Sequence, residues 1–442
     1  MAEQAKFRDG ALDEIVAEFR ECTPASAAHW ARWREVIPNW NERAGAMAPY
    51  PVYVRSGSGV HLEDLDGRAI LDFVCSNMGG VLGHGNDEVR AALHEQLDRG
   101  TNFSMLPDRE LELAELLVDR VPSVERVRFT ATGSESTMMA LRVARASTGR
   151  PAIAKVDGGY HGTHDAVWFG SPRHPPGTLA PGIPERIRDE VVLLAFNDLE
   201  GTDEILRAKG HELAAVIVEP VLGAGGSLPA TPEYLQLLRD RTTELGIVLI
   251  FDEMISLGMA RGGAQEHYGV TPDMTTAGKS FGGGIPMAFY GGRADLMGLT
   301  GRGPDGEWPQ VEHVGTYVSM GLGMAAGVAS LRQQTPEHFE RLAASGDLIR
   351  HRLAAMADRR DFPLRVLGIG HMWGWGWHES EIRTYRDARE ADSRVPSAVQ
   401  TAVLNRGFLV GPGRGIVTAV HTESQIDSLV DAIEATLDRL VE

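Results

Sequence analysis

Five consecutive apolar residues, Ile247 to Phe251, run straight into two acids, Asp252 and Glu253. An unbroken apolar run of this kind predicts a strand buried on both faces, the usual condition inside a parallel sheet. An acid at the end of such a strand is costly to desolvate unless a cation or a protonated ring nitrogen meets it. Twenty-seven residues beyond Asp252, Lys279 stands between Gly278 and the run Ser280-Phe281-Gly282-Gly283-Gly284. In a glycine-lined, apolar setting a lysine gives up its proton readily and can attack an aldehyde as a free amine.

An acid that keeps a heterocycle protonated and an amine that captures an aldehyde are together the minimal equipment for holding pyridoxal phosphate. Each feature also has an ordinary explanation. A lysine before glycines is commonly a surface loop, and an Asp-Glu pair after a strand is commonly a solvated turn. The remainder of the chain decides between these explanations.

At 442 residues the chain is too long for one small core, and two domains are expected. A hydrophobic fraction of 43% and a charged fraction of 24% belong to a soluble globular protein. The net charge of −18 excludes a general nucleic-acid binder, which needs a basic face. Cys22 and Cys75 are too few for a disulfide framework, which fits a reducing compartment. The N-terminal stretch lacks the apolar core of a signal peptide, and no run reaches the roughly 18 apolar residues of a membrane span. The cytoplasm is the expected location.

Residues 1 to about 36 read as helical, with Leu12, Ile15, Val16 and Phe19 on one stripe. Ile37 to Tyr53 is rich in Pro, Gly and Asn and reads as an irregular arm. Val60 to Phe73 reads as a hairpin turning at Asp66-Gly67, and an amphipathic helix follows a cap at Asn86 or Asp87. From about 108 to 330 helical and strand-like segments alternate. The strand candidates are Val127–Thr130, Ala152–Val156, Val191–Ala195, Ala215–Val218 and Ile247–Phe251, which predicts a mainly parallel α/β sheet. Ser171 to Pro184 breaks the pattern as either a plain surface connection or a mobile lid. After about 332 come a long helix (Glu337–Met356), a strand pair near Val366–Trp377 and a last helix from Thr422. The expected division is 1–75 as N-terminal arm and part of a small domain, 76–331 as a large domain, and 332–442 as the rest of the small one.

Several short segments carry chemistry. Thr130 to Thr137, TATGSEST, lies at a strand-to-helix turn, where exposed N–H groups favour a phosphate. A capping box using Thr132 or Ser134 would share that geometry. Gly158 to Asp165, GGYHGTHD, hems an aromatic-histidine pair with glycines, which suits a flat ring. His161 and His164 have the spacing of a metal pair on a helix, but the glycines argue against a helix, so no metal is expected. Glu219 and Asp252 each end a predicted strand, at the face where open α/β sheets bind ligands. Gly315-Thr316 offers a hydroxyl and an amide in a turn.

Taken together, TATGSEST, GGYHGTHD, VIVEP, LIFDE, TTAGKSFGGGIP and HVGT resemble, in order and spacing, the class III aminotransferases among the fold type I pyridoxal-phosphate enzymes. The likeness is greatest to members similar to glutamate-1-semialdehyde aminomutase. It runs from the DGRAILDF hairpin and LGHG to AVHTESQID, nearly the whole chain. The resemblance implies a large domain with a mainly parallel seven-stranded sheet and helices on both faces. A smaller α+β domain would be built from the N-terminal arm and the C-terminal part.

By the same resemblance, Lys279 would form the Schiff base and shuttle protons, and Asp252 would keep the pyridine nitrogen protonated. Gly133 and Ser134 would bind the phosphate, Thr316 would reach it from the partner subunit, and Tyr160 would stack on the ring. Glu135, Glu219 and His161 match active-site or neighbouring positions. The implied enzyme is a homodimer with active sites at its interface. It would be an aminotransferase that takes an amino group from a small-molecule donor, holds it as pyridoxamine phosphate, and passes it to a carbonyl acceptor. An aminomutase, or a racemase or epimerase, on the same scaffold is the alternative.

Three segments depart from the aminomutase pattern. After Glu253 the chain reads MISLGMARGG, so the arginine usual there is missing or displaced to Arg261. After Thr316 it reads YVSMG, and GFLVGPGRGIVTAV is shortened near the C-terminus. These segments line or support the substrate side and point away from the aminomutase itself. Candidate substrate contacts are Trp40, Asn41 and Arg43 in the arm and Arg414 in a Gly-Pro-Gly-Arg-Gly turn, as a carboxylate clamp or as a surface arginine. Trp373, Trp375 and Trp377 alternate as one face of a strand, with burial as the preferred explanation.

Overall fold

The apolar runs that end in acids lie side by side in one seven-stranded sheet. The computed structural model describes residues 5–38, 49–174, 177–303 and 305–441, and the chain divides into two units, 87–339 and 1–86 with 340–442. The sheet belongs to the first unit. Its strands are β1 (Arg126–Thr130), β2 (Ala152–Val156), β3 (Val191–Leu194), β4 (Leu213–Val218), β5 (Val248–Asp252), β6 (Met274–Gly278) and β7 (Ala288–Gly292). They pair in the order β1-β7-β6-β5-β4-β2-β3. Strand β7 is antiparallel to both neighbours, and the other six point the same way.

Five of these strands coincide with the sequence expectation within two residues; β6 and β7 were not anticipated. Their sequences, MTTAG and AFYGG, mix small residues with Met274, Phe289 and Tyr290 and lack branched apolar alternation, yet every residue in them is buried. β4 and β5 are buried throughout, as their continuous apolar runs require.

Helices cover both faces. In this unit α1 spans Asp87–Arg99, α2 Arg109–Arg120, α3 Gly133–Thr148, α4 Leu199–Lys209, α5 Pro232–Leu245 and α6 Gly321–Gln333. On one face Met139, Ala140, Val143 and Ala144 of α3 pack on Ile153, Ile217, Ile250 and Tyr290. On the other, Leu113 and Leu117 of α2 and Met324 and Val328 of α6 pack on Phe129, Ala277 and Phe289. Full burial of one such large side chain contributes roughly 1.5–3 kcal/mol.

The second unit is α+β. Its hairpin is His61–Asp64 against Ala69–Asp72, with Gly67 at φ 78° in the turn, where a side chain would be strained. Strands Leu364–Leu367, Met372–Trp377 and Arg414–Ile416 form a separate three-stranded sheet. Trp373, Trp375 and Trp377 are buried with Ile349, Val403 and Ile433, so the tryptophan stripe is core. The N-terminal helical stretch is two helices, Ala11–Cys22 and Pro24–Trp33, because Pro24 cannot continue the first. Ala11, Ile15 and Phe19 face inward, while Leu12 of the expected stripe is exposed and Val16 only half-buried. The final helix, Glu423–Leu440, starts from a capping box between Thr422 and Gln425. Among the described residues no helix is long and apolar enough to cross a membrane.

Candidate active site

Because six strands run parallel, their C-terminal ends share one edge of the sheet. There β1 leads to Gly133 and Ser134, β2 to the loop of Tyr160 and His161, β4 to Glu219, β5 terminates at Asp252, and β6 leads to Lys279. Ligands of open α/β sheets bind at such an edge.

Asp252 is the centre. Its Oδ2 lies 2.8 Å from His161 Nδ1, and its Oδ1 accepts from Thr276 Oγ1 at 3.1 Å and from the Met254 amide at 3.3 Å. Burial pushes His161 below its ordinary range, opposed by Asp252, so the ring is neutral and its proton sits on Nδ1, facing the carboxylate. Its Nε2 is buried without a hydrogen-bond partner among the described residues.

Glu219 is buried beside this pair. Its Oε1 accepts from the Tyr160 amide at 2.8 Å and its Oε2 from the Gly223 amide at 3.2 Å. Burial first, and then the charge of Asp252, raise its carboxyl to about 7, against the pull of those amides and of Lys279. Lys279 itself sits at φ 51°, a left-handed backbone that a lysine rarely adopts.

The turn after β1 is built for close approach. Thr132 caps α3 by accepting from the Glu135 amide at 3.2 Å, and Glu135 reaches back to the Ala131 amide at 2.9 Å. A Cβ on Gly133 would lie 2.8 Å from Met254 Sδ, and one on Gly162, at φ 102°, would lie 2.5 Å from Ser134 Oγ. The turn is tied to the tyrosine-histidine loop by Thr163 N to Ser134 Oγ at 3.2 Å and by Thr137 Oγ1 to the His161 carbonyl at 2.6 Å. Gly133, Ser134, Tyr160, His161, Glu219, Asp252 and Lys279 thus gather at one edge.

The other candidates make other contacts. Among the described residues Glu135 makes no hydrogen bond to the acid cluster and instead meets His313 Nε2 at 3.1 Å. Thr316 is exposed, and its carbonyl accepts from Asn102 at 2.9 Å. Around it, exposed Phe103, Met105, Leu106 and Val314 line a hollow of about 290 Å³. Arg414 is half-buried on a strand of the second unit. Trp40, Asn41 and Arg43 lie outside the described residues. Arg261 is exposed and forms an ion pair with Asp119.

Sequence reasoning missed Thr276, Met254 and His313. Thr276 stands three residues before Lys279 in a strand that carried no strand signal. Met254 lies against both Gly133 and Gly278, two positions whose proximity depends on the fold. His313 begins HVGT, but only the closing Gly-Thr gave a chemical cue. Arg173, from the Pro/Gly-rich loop, places its guanidinium 5.3 Å from the Tyr160 ring centre.

The aminotransferase class-III family matches residues 43–437. Among known proteins, the glutamate-1-semialdehyde 2,1-aminomutase of Methanothermobacter thermautotrophicus is 36% identical over 402 residues, 89% of this chain and 93% of that protein. Among solved structures, an omega-transaminase from Sphaerobacter thermophilus superposes with a TM-score of 0.89 at 37% identity, covering 94% of this chain and 97% of that one. A β-phenylalanine aminotransferase from Variovorax paradoxus gives a TM-score of 0.89 at 32% identity, covering 97% of each chain.

Proposed function

The chain belongs to the class-III aminotransferases, whose cofactor is pyridoxal phosphate, and on that premise we propose that it moves an amino group from an amino donor to a carbonyl acceptor. The observation that carries this reading is the meeting of Lys279 and Asp252 at one sheet edge, on a fold shared at 37% identity with a protein described as an omega-transaminase.

The residues fit the cofactor. Asp252 is buried and held by His161, Thr276 and the Met254 amide, as an acid aimed at a protonated ring nitrogen would be. Gly133 and Gly162 leave a cradle that a Cβ would fill, at the start of a 16-residue helix whose N-terminus favours phosphate. When bound, pyridoxal phosphate supplies an aldehyde for an amine to capture and a ring that takes up electron density.

The chain's own residues do the rest. Lys279 holds the cofactor and moves a proton from and to the substrate carbon. Asp252 keeps the ring nitrogen protonated, while His161 donates to its other oxygen and keeps the carboxylate in place. Gly133 and Ser134 bind the phosphate, and Tyr160 covers the ring, its amide fixed by Glu219. Glu135 supports the turn from behind. The enzyme works as a homodimer, with Thr316 of the partner subunit completing the phosphate site. The exposed apolar group of Phe103, Met105, Leu106 and Val314 beside Thr316 supports a second copy covering that surface.

A second reading is an aminomutase, favoured by relatives of that name at 36% identity. Single-turnover experiments with a panel of amino donors separate the two. A transaminase releases a keto product in the absence of any acceptor. An aminomutase returns the amine within one molecule and releases none.

A further inference from the structure

A buried cation lies under the loop that carries Tyr160 and His161. Lys155, on β2, is fully buried, and its Nζ donates to the carbonyls of Gly159 at 2.9 Å, Val167 at 3.0 Å and Phe169 at 3.0 Å. Three acceptors match the three N–H bonds of an ammonium. All three lie on one stretch of chain, so the amine closes both ends of that stretch onto a single atom. Between those ties the Tyr160 amide donates to Glu219, and His161 turns its Nδ1 to Asp252. An apolar side chain would fill the same space without an interior charge to desolvate. Packing alone therefore gives no reason for a lysine here.

We propose that Lys155 is a positioning residue of the cofactor site: by gathering Gly159, Val167 and Phe169 around one ammonium, it fixes the loop that sets the Tyr160 amide on Glu219 and the His161 ring on Asp252.

The charge acts alongside the geometry. Burial draws Lys155 down from 10.5 to about 7, while Asp157 and Glu219 push back. Its charge in turn disfavours protonation of His161 and of His164. Asp252 opposes it at His161, whereas Arg142 and Arg145 act with it at His164. Lys155 therefore helps keep His161 in the neutral form that donates to Asp252.

The inference rests on Asp252 and Tyr160 being the groups that meet the cofactor. Its test compares wild-type protein with Lys155→Met and Lys155→Arg for far-UV circular dichroism, pyridoxal phosphate affinity, and the pH midpoint of the bound cofactor's absorbance change. A folded Lys155→Met binds the cofactor about tenfold or more weakly and shifts that midpoint by about half a pH unit or more, and Lys155→Arg recovers part of both. A folded Lys155→Met with affinity within about twofold of wild type and an unmoved midpoint overturns the proposal. Wild-type protein that takes up no pyridoxal phosphate removes the underlying reading, and this proposal with it.

If the methionine variant does not fold, hydrogen exchange on the apo-proteins of wild type and Lys155→Arg decides, at about pH 6, below the value of about 7 to which burial draws Lys155. Amides 159–169 exchange more slowly in wild type than in Lys155→Arg, and equal protection of that stretch in the two proteins overturns the proposal.

Discussion

His161 presents Nδ1 to Asp252 Oδ2 at 2.8 Å, and both side chains are sealed from solvent. A carboxylate accepts, so the neutral imidazole must be the donor. The contact joins residues 91 positions apart and leaves Asp252 oriented by His161, Thr276 and the Met254 amide. That is the arrangement of an acid held in place and aimed, ready to stabilise positive charge brought by a ligand.

Removing the acid should therefore cost more than removing its support. Asp252→Ala is expected to lower turnover by about a hundredfold to a thousandfold while cofactor still attaches. His161→Ala is expected to lower it by about tenfold to a hundredfold. Steady-state rates on reconstituted protein check both. Wild-type turnover in Asp252→Ala would remove that residue from the mechanism.

Glu219 makes the stability of the apo-protein depend on pH. Its carboxyl is raised from 4.5 to about 7, so between those values the folded chain holds a proton that the unfolded chain has lost. Its contribution to stability falls as pH rises through that window and is level above about 7. Glu219→Gln carries no such proton. The stability of this variant relative to wild type should grow from about pH 5 to about pH 7, measured by urea denaturation of apo-protein. Because His161 is depressed rather than raised, its own trend runs the opposite way, but it is common to both proteins and cancels. Parallel curves would contradict the assignment.

The tryptophan stripe makes a stability prediction free of catalysis. Trp373 is fully buried, and its ring centre lies 6.5 Å from that of Phe73. Trp373→Ala should destabilise the protein by about 3–5 kcal/mol. Trp373→Phe should cost less, because among the described residues the indole N–H has no partner to lose. Denaturant midpoints test this, and equal effects of the two substitutions would argue against burial as the role of this face.

The sequence is most legible where one physical requirement acts on consecutive residues. β4 and β5 are buried on both faces, so their apolar runs stand out, and the acids that follow them mark the ligand edge. β6 and β7 are equally buried but read MTTAG and AFYGG, where Thr, Ala and Gly interrupt Met274, Phe289 and Tyr290, so no continuous apolar run marks them. The break at Pro24 was readable in principle, since proline opens helices more readily than it continues them. Contacts such as His161 to Asp252, or Met254 against Gly133 and Gly278, join distant segments and depend on strand order. The residues were therefore nameable as candidates, but their partners were not.

The central claim is that Lys279, rather than any other amine, takes the cofactor. The chain has only four lysines: Lys6, Lys155, Lys209 and Lys279. Lys6 and Lys209 are exposed, and Lys155 is buried under the loop. The protein loaded with pyridoxal phosphate should be reduced with borohydride, digested and mapped by mass spectrometry, beside Lys279→Ala treated in the same way. The account predicts one label per chain, on the peptide containing Lys279, with loss of both label and visible absorbance in a folded Lys279→Ala. A label on Lys155, or an unchanged spectrum in Lys279→Ala, would contradict it.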